Sequence, residues 1–423
     1  MLLIIFDIGL VAGGGVSCTA HNKRRTPHSL HHHHLAMLLP PHCLARPLAC
    51  AQWAGHHQLV SLFPSSTSYS AVAAYLVVAE NYLDTIWDET LASVAKIPWD
   101  DELEIYITKE RVSTGDRLVS KFRKSTQESV AEWTGDDEKG LVLANIGFAY
   151  VTLGLLLAKQ LLESGHDQWK SVVDLYKKAL AVAKLGTLKF GKAGFAVLNT
   201  VADVLLQLLV VAKQSYTART TSTVSASGML SRAAIYAATQ LGSLQQTLPP
   251  NAVVVDYFEA LVRYARAYAA YYTAIDHYDQ KKIGHALGLL QLGIIALQGR
   301  NHVVNELSLS LSKPKSKLLE LRRDRKNDKV VRKLRPVISK KIEAFVPIDT
   351  QELLDLILLL QQSYTKENET LAFQLVVDWR EIEDNAQWPL GKPIPLLGLP
   401  EYTPGKQKNV NTALLYSGQG AYY

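Results

Sequence analysis

The fold is decided by the stretch between residues 257 and 298, which reads YFEALVRYARAYAAYYTAIDHYDQKKIGHALGLLQLGIIALQ. Small residues recur in it among large aromatic ones: Ala260, Ala267, Ala270, Ala274 and Ala286 among Tyr257, Tyr264, Tyr268, Tyr271 and Tyr272. Small side chains let two helix backbones approach closely, and aromatic rings fill the spaces around them. Because the polar residues 276–282 interrupt the pattern, the stretch predicts a helical hairpin of the tetratricopeptide type.

The rest of the chain is predicted to be helical over most of its length after residue 139. Apolar residues recur at helical spacing in five further segments, which span residues 141–164, 169–186, 197–214, 228–247 and 353–364. We therefore expect a mostly α-helical protein, built as an elongated solenoid with a few short strands, one of them at 103–108. After residue 368 the prolines increase and an extended C-terminal segment is predicted.

Composition limits the class of protein. The chain has 423 residues, of which 48% are hydrophobic, so it can bury a large core. Its cysteines, Cys18, Cys43 and Cys50, all lie near the N-terminus. The helical body therefore has no disulfide, which is typical of proteins from a reducing compartment.

Residues 1–60 differ from the rest in composition. They hold nine of the 13 histidines and no sustained hydrophobic period. We interpret them as disordered, or as an incorrect upstream extension of the gene model, followed by one domain at 61–405 and a flexible tail at 406–423. Five potential zinc ligands lie here: His42, Cys43, Cys50, His56 and His57. Their spacing matches no compact zinc finger, so no metal site is expected.

The segment Leu141–Ala158 is the best candidate for a membrane span, at about the minimum length of roughly 18 residues. It also contains Asn145, Thr152 and two glycines. We favour a helix buried inside a helical stack, and an integral membrane protein that spans here is the alternative.

Positive charge is concentrated between residues 313 and 341, where 13 Lys or Arg face three Asp or Glu. This segment carries +10, so the rest of the chain, whose total is +6, sums to −4. Either it is a solvated helix face, or it contacts anionic lipid headgroups. The residues that would make the lipid contact are Lys315, Arg322, Arg323, Arg325, Lys326, Lys329, Arg332 and Lys333. No aromatic residues alternate with them, so nucleic-acid binding is not expected.

No arrangement of residues predicts catalysis. A nucleophile, a base and an orienting residue do not occur in any recognisable relation. The cluster of Asp276, His277, Asp279 and His285 is interpreted as a solvated turn between helices. We expect neither an enzyme nor a cofactor.

Three segments carry a family resemblance: 197–214 (VLNTVADVLLQLLVVAKQ), the hairpin at 257–298, and 366–374 (KENETLAFQ), which is followed by PLGK at 389–392. In order and pattern the chain resembles the Bro-type domain of ALIX-like endosomal adaptors over roughly residues 65–400. Within that family it is most similar to fungal pH-response regulators of the palC type. The chain departs from the family pattern in two places. Glu369 replaces an aspartate in the exit strand, which runs through 364–374, and Val376-Val377 replace the Val-Pro that follows this strand.

The resemblance implies an adaptor with a Bro domain that binds the amphipathic helix of an ESCRT-III filament subunit. The matching docking positions are Leu209, Met229 and Ala233, although Leu209 and Met229 also fit ordinary core positions. It further implies alkaline-pH signalling upstream of the proteolytic activation of a transcription factor. A plasma-membrane pH-sensor complex would be a second partner. The alternative role is general endosomal sorting of cargo. In either role we expect a cytoplasmic protein, peripheral at the plasma membrane or endosome.

Overall fold

The computed structural model describes residues 44–404 except 54, 66–67, 101–131, 165–167, 192, 222–226, 248–251, 299–346, 385–387 and 397. The helices in these residues are α1 (His56–Leu62), α2 (Tyr69–Ile86), α3 (Gly135–Ser164), α4 (Trp169–Phe190), α5 (Ala193–Thr221), α6 (Ser227–Thr247), α7 (Ala252–Asp279), α8 (Ile283–Gln298), α9 (Pro347–Glu367) and α10 (Trp379–Asp384). A π-helix, Asn368–Ala372, continues α9. The strands β1 (Arg46–Pro47) and β2 (Trp99–Asp100) pair antiparallel. The prediction of a mostly α-helical fold is confirmed.

Helices α2 to α9 pack in chain order, each against the next. The hairpin of α7 and α8 follows the predicted pattern, because its alanines and tyrosines are buried together. The ring centroids of Tyr264 and Tyr268 lie 5.0 Å apart in an edge-to-face contact, and Tyr268 stacks on Tyr272 at 6.0 Å. Offset and edge-to-face pairs of this kind stabilise a core beyond the area that they bury.

The N-terminal boundary predicted at residue 60 is wrong for residues 44–60. Leu44, Ala45, Trp53 and Leu59 are buried in the main hydrophobic core. The side-chain amide of Asn145 in α3 holds this segment by accepting from the backbone N–H of Ala45 at 2.9 Å and donating to its carbonyl at 2.8 Å. Hydrophobic periodicity did not reveal that this segment is folded, because most of its buried residues are single positions in a loop. Residues 1–43 lie outside the described residues.

The predicted extended strand at 364–374 is also wrong in its first part. Helix α9 runs to Glu367, and Asn368–Ala372 forms the π-helix before the chain extends. The extended part then lies against α8, where Gly284 and Gly288 face the carbonyl oxygens of Leu375 and Val377. A Cβ at either glycine would overlap these oxygens, so the close approach requires glycine.

Candidate docking surface

The docking positions implied by the resemblance lie at the end of α5 and the start of α6, but they do not share a surface. Leu209 is 3% exposed and Ala233 is fully buried, whereas Met229 is 39% exposed. The prediction that Leu209 and Ala233 form an accessible patch is therefore wrong. Of these three positions, Met229 alone is accessible to a partner.

Helix α5 is apolar over nearly its whole circumference, which explains the error in its rotational phase. Residues 204–209 are all buried, so hydrophobicity alone does not reveal which side faces outward. The accessible stripe passes through Asp203, Val210 and Gln214, at helical spacing. Val210, the residue after Leu209, is the half-buried apolar residue on this stripe.

The antiparallel pairing of α5 with α6 predicts that Val210 lies level with Met229. The Tyr236 hydroxyl donates to Oδ2 of Asp203 at 2.8 Å, which sets the antiparallel register of the two helices. Val210 lies seven residues after Asp203 on α5, and Met229 lies seven residues before Tyr236 on α6. Burial, together with the hydrogen bond to the Asp203 carboxylate, raises the pKa of Tyr236 to about 12, so the hydroxyl stays a donor well into the alkaline range.

Two cationic side chains border this apolar pair. Lys213 follows Val210 by three residues and is half-buried, and Arg232 follows Met229 by three residues and is exposed. We call Val210, Lys213, Met229 and Arg232 the Met229 patch. An apolar centre with a charged rim is the usual anatomy of a protein docking surface.

The helices beneath the Met229 patch are tied together. The hydroxyls of Ser231 in α6 and Thr273 in α7 share a buried hydrogen bond of 2.5 Å. The Tyr272 hydroxyl donates across to the carbonyl of Val211 in α5 at 3.5 Å. The patch therefore rests on three helices that side-chain hydrogen bonds link to one another.

The segment 388–404 forms one border of the Met229 patch and was not predicted to pack there. The buried Gln207 amide accepts from the Ile394 N–H at 2.8 Å and donates to its carbonyl at 3.2 Å. The Lys392 N–H donates to the carbonyl of Arg232 at 3.0 Å. Gly391, in the PLGK turn of the sequence, lies against the Tyr236 backbone, where a Cβ would come within 2.8 Å of the nitrogen. The segment thus crosses from α6 to α5.

The far end of this segment reaches α2 and α3. Tyr402 is buried, and burial next to the Glu80 and Asp84 carboxylates raises its pKa well above the usual value for tyrosine. Glu80 also accepts a hydrogen bond from the Tyr150 hydroxyl of α3 at 2.5 Å. The signal available from the sequence was the glycine at 391, which marks a close backbone approach.

The histidines and cysteines considered as zinc ligands are not grouped around a common point in the part of the chain that the structure describes. His56 is buried, with Nδ1 2.8 Å from Oε1 of Glu138 and Nε2 2.9 Å from the carbonyl of Leu48. Cys50 is a free, half-buried thiol and His57 is exposed. No group of three metal-ligating side chains occurs among the residues that the structure describes. His42 and Cys43 lie outside them.

Within the part of the chain that the structure describes, two helices are long and apolar enough to cross a membrane, Gly135–Leu161 and Gly194–Ser215. The best windows of both are mostly buried within the protein, 94% in the first and 72% in the second. The predicted span Leu141–Ala158 belongs to the first, whose Asn145 is fully buried and bonded to Ala45 and to the Tyr75 hydroxyl. This burial is typical of core helices in helical proteins. The basic residues between Lys315 and Lys333 lie outside the described residues.

Comparison with known proteins gives a family and a set of similar folds. A family model described as "Family of unknown function (DUF5355)" matches residues 133–423. No curated protein matches the chain. Among solved structures, an ALIX BRO1 complex with CHMP4C matches at 14% identity and a TM-score of 0.47, and covers 86% of this chain and 88% of that one.

Two further structures match at 13% identity. A Bro1 domain studied for endosomal targeting has a TM-score of 0.41, with 82% of each chain covered. ALIX in complex with the SIVmac239 PYKEVTEDL late domain has a TM-score of 0.43, and the match covers 86% of this chain but 47% of that one. Similarities of this size establish no function for the chain.

Proposed function

The chain belongs to DUF5355, a family of unknown function, and from that premise we propose that it is a non-enzymatic adaptor that binds an amphipathic helix of an ESCRT-III filament subunit. The observation that carries the proposal is the Met229 patch. It is an apolar centre on three helices linked by hydrogen bonds, at the end of α5 and the start of α6, where the sequence resemblance to Bro-type domains implies the docking position. Recognition of an amphipathic helix needs a few apolar anchors in such a surface.

The finer role that we propose is fungal alkaline-pH signalling, upstream of the proteolytic activation of a transcription factor. It rests on the resemblance of 197–214, 257–298 and 366–374 to regulators of the palC type. In this role the second partner is a plasma-membrane pH-sensor complex. The protein acts in the cytoplasm, peripheral at the plasma membrane or endosome, and the basic residues of 313–341 contact anionic lipid.

The docking proposal is tested with the full chain and a fluorescent peptide that spans the C-terminal amphipathic helix of an ESCRT-III subunit. Met229→Asp is expected to weaken binding by roughly tenfold or more, because the surface loses its apolar anchor and the arriving helix must desolvate the new carboxylate. Leu188→Asp is the matched control, since Leu188 is a 75% exposed leucine on α4 that belongs to no proposed surface. Equal affinity of wild type and Met229→Asp overturns the patch, and a wild-type chain that does not bind the peptide overturns the function.

The pH-signalling role is tested separately in fungal cells. Met229→Asp is expected to abolish proteolytic activation of the transcription factor after a shift to alkaline medium, and Leu188→Asp is expected to preserve it. Normal activation combined with defective cargo sorting in the Met229→Asp cells contradicts the signalling role and supports general endosomal sorting.

A further inference from the structure

A second apolar surface lies at the end of α9, distinct from the Met229 patch. Leu371 and Phe373 are each 76% exposed, and Leu375 is 91% exposed. Single exposed leucines are common on protein surfaces, but three large apolar side chains within five residues are not explained by the fold. We call these three residues the Phe373 turn.

The Phe373 turn is held in place by specific polar contacts. The buried side chain of Asn368 accepts from the Gln374 N–H at 2.9 Å and donates to the Gln374 carbonyl, also at 2.9 Å. The Gln374 side chain in turn accepts from the Gly284 N–H at 3.0 Å and donates to the Lys281 carbonyl at 2.8 Å. The turn is therefore fixed on both sides of Phe373, and its apolar side chains are presented on an ordered backbone.

The backbone at Phe373 is strained. Its φ is 49°, in the left-handed region, and its N–H donates to the Asn368 carbonyl at 2.7 Å. A bulky side chain adopts this conformation at a cost that glycine or asparagine avoids. Strained backbone positions held by their surroundings concentrate at functional sites. An aromatic residue that is strained and exposed at once contributes little to the fold, which points to a role in binding.

The surroundings of the turn are acidic. Residues 366–384 contain six Asp or Glu and two Lys or Arg, although the whole chain carries +6. Glu369, Asp378 and Glu381 are exposed. The neighbouring turn 276–282 adds two carboxylates and two lysines, and Arg266 of α7 lies 3.5 Å from Glu383, so the local charge is −3. A surface of this sign attracts a basic partner and repels an anionic membrane.

We propose that the Phe373 turn is the docking point for a basic amphipathic helix of a protein partner. The apolar side of that helix would cover Leu371, Phe373 and Leu375, and its Lys and Arg side chains would meet the carboxylates on either side. An aromatic residue at the centre of a surface with a charged rim is the arrangement that concentrates binding energy. This surface is independent of the Met229 patch and of the function proposed for it.

The test uses the full chain and a synthetic helical peptide with a leucine side and a lysine side, labelled for fluorescence anisotropy. We expect the peptide to bind the wild type, and Phe373→Gly to weaken binding by roughly tenfold or more. Glycine suits the left-handed backbone, so the turn keeps its shape and the melting temperature does not fall. Leu188→Gln is the matched control, because Leu188 has nearly the same exposure as Phe373. Met229→Asp is expected to leave this binding unchanged.

Three results would overturn the proposal. The first is equal affinity of wild type and Phe373→Gly for the lysine–leucine peptide. The second is equal affinity of the wild type for a peptide with glutamate in place of lysine, or for a scrambled peptide with no apolar side. The third is binding to vesicles with anionic headgroups that depends on Phe373, which would make the turn a membrane contact instead of a protein docking point.

Discussion

Nδ1 of His56 lies 2.8 Å from Oε1 of Glu138, and both side chains are fully buried. The same carboxylate accepts from the Trp99 indole N–H at 2.6 Å, from the Trp133 indole N–H at 3.3 Å and from the Tyr82 hydroxyl at 3.2 Å. Four donors from four parts of the chain therefore converge on one residue at the start of α3. A buried carboxylate is stable only with this kind of compensation.

Replacement of Glu138 by glutamine is expected to destabilise the protein by roughly 3–5 kcal/mol, because it removes one partner of a buried pair and brings an amide N–H₂ toward groups that donate. Urea denaturation followed by circular dichroism measures the change. Glu132→Gln is the control, since Glu132 is exposed and only six residues away. An unchanged urea midpoint for Glu138→Gln would contradict a role for this network in stability.

The N-terminal boundary gives a second prediction. A chain that begins at Ser66 lacks the β1 strand, His56 and the buried residues of α1, and it is expected to melt at a lower temperature or not to fold. A chain that begins at Leu44 keeps these contacts and is expected to melt like the full chain. Thermal melts of the two truncated chains measure whether residues 44–65 stabilise the fold. The same melting temperature for the chain that begins at Ser66 would mean that the segment 44–65 packs without stabilising the fold.

The sequence predicted the helices well because each carries its own local signal. The alternation of alanine and tyrosine in 257–298 is a property of adjacent turns, and it locates the hairpin of α7 and α8 without reference to other parts of the chain. Apolar spacing likewise located α3 to α6 and α9. The ends of these helices lie up to a few residues outside the predicted segments, because capping and packing extend a helix beyond its apolar stripe.

Contacts between distant parts of the chain could not be predicted in the same way. Gln207 and Ile394 are separated by 187 residues, and the nearby Gly391 indicates a close backbone approach without identifying its partner. The π-helix after Glu367 is followed by Gln374, whose backbone bonds to Asn368 and whose side chain donates to the Lys281 carbonyl of the α7–α8 turn, and sequence periodicity does not describe such contacts. The side of α5 that faces outward could not be predicted for a different reason, because a helix that is apolar all round has no polar side to mark its exposed face. For this reason the predicted docking patch contained Leu209 instead of Val210.

Substitutions on α5 and α6 separate core from surface directly. Leu209→Asp buries an unpaired charge in the hydrophobic core and is expected to unfold the protein or to cost more than about 4 kcal/mol. Met229→Asp leaves its carboxylate in water and is expected to change stability by less than about 0.5 kcal/mol. Circular dichroism melts of both variants test this contrast. A stable Leu209→Asp protein would return Leu209 to the surface.

Buried tyrosines predict the alkaline limit of stability. Burial raises the pKa of Tyr75 and Tyr176 above the usual value of 10.0, and burial beside Glu80 raises that of Tyr150. A raised pKa in the folded state contributes stability that is fully present below pH 10 and is lost as the pH rises above it. Tyrosinate absorbance is therefore expected to rise together with the loss of circular dichroism, above pH 10. Full tyrosine ionisation with the helical signal intact would contradict the burial of these hydroxyls.

The contact between Gln207 and Ile394 gives the last prediction. Gln207→Ala removes both hydrogen bonds to the Ile394 backbone, and an unpaired N–H and C=O in a partly buried position cost roughly 1–3 kcal/mol. Because the segment 388–404 is held to α5 by this contact, its amides are expected to exchange with solvent faster while those of α7 and α8 do not change. Hydrogen exchange read by mass spectrometry resolves the two regions. Gln214→Ala is the control, because Gln214 lies two turns along the same helix and is exposed. Uniformly faster exchange across all helices in Gln207→Ala would show that Gln207 supports the whole core instead of the segment, and unchanged exchange would show that other contacts suffice to hold it.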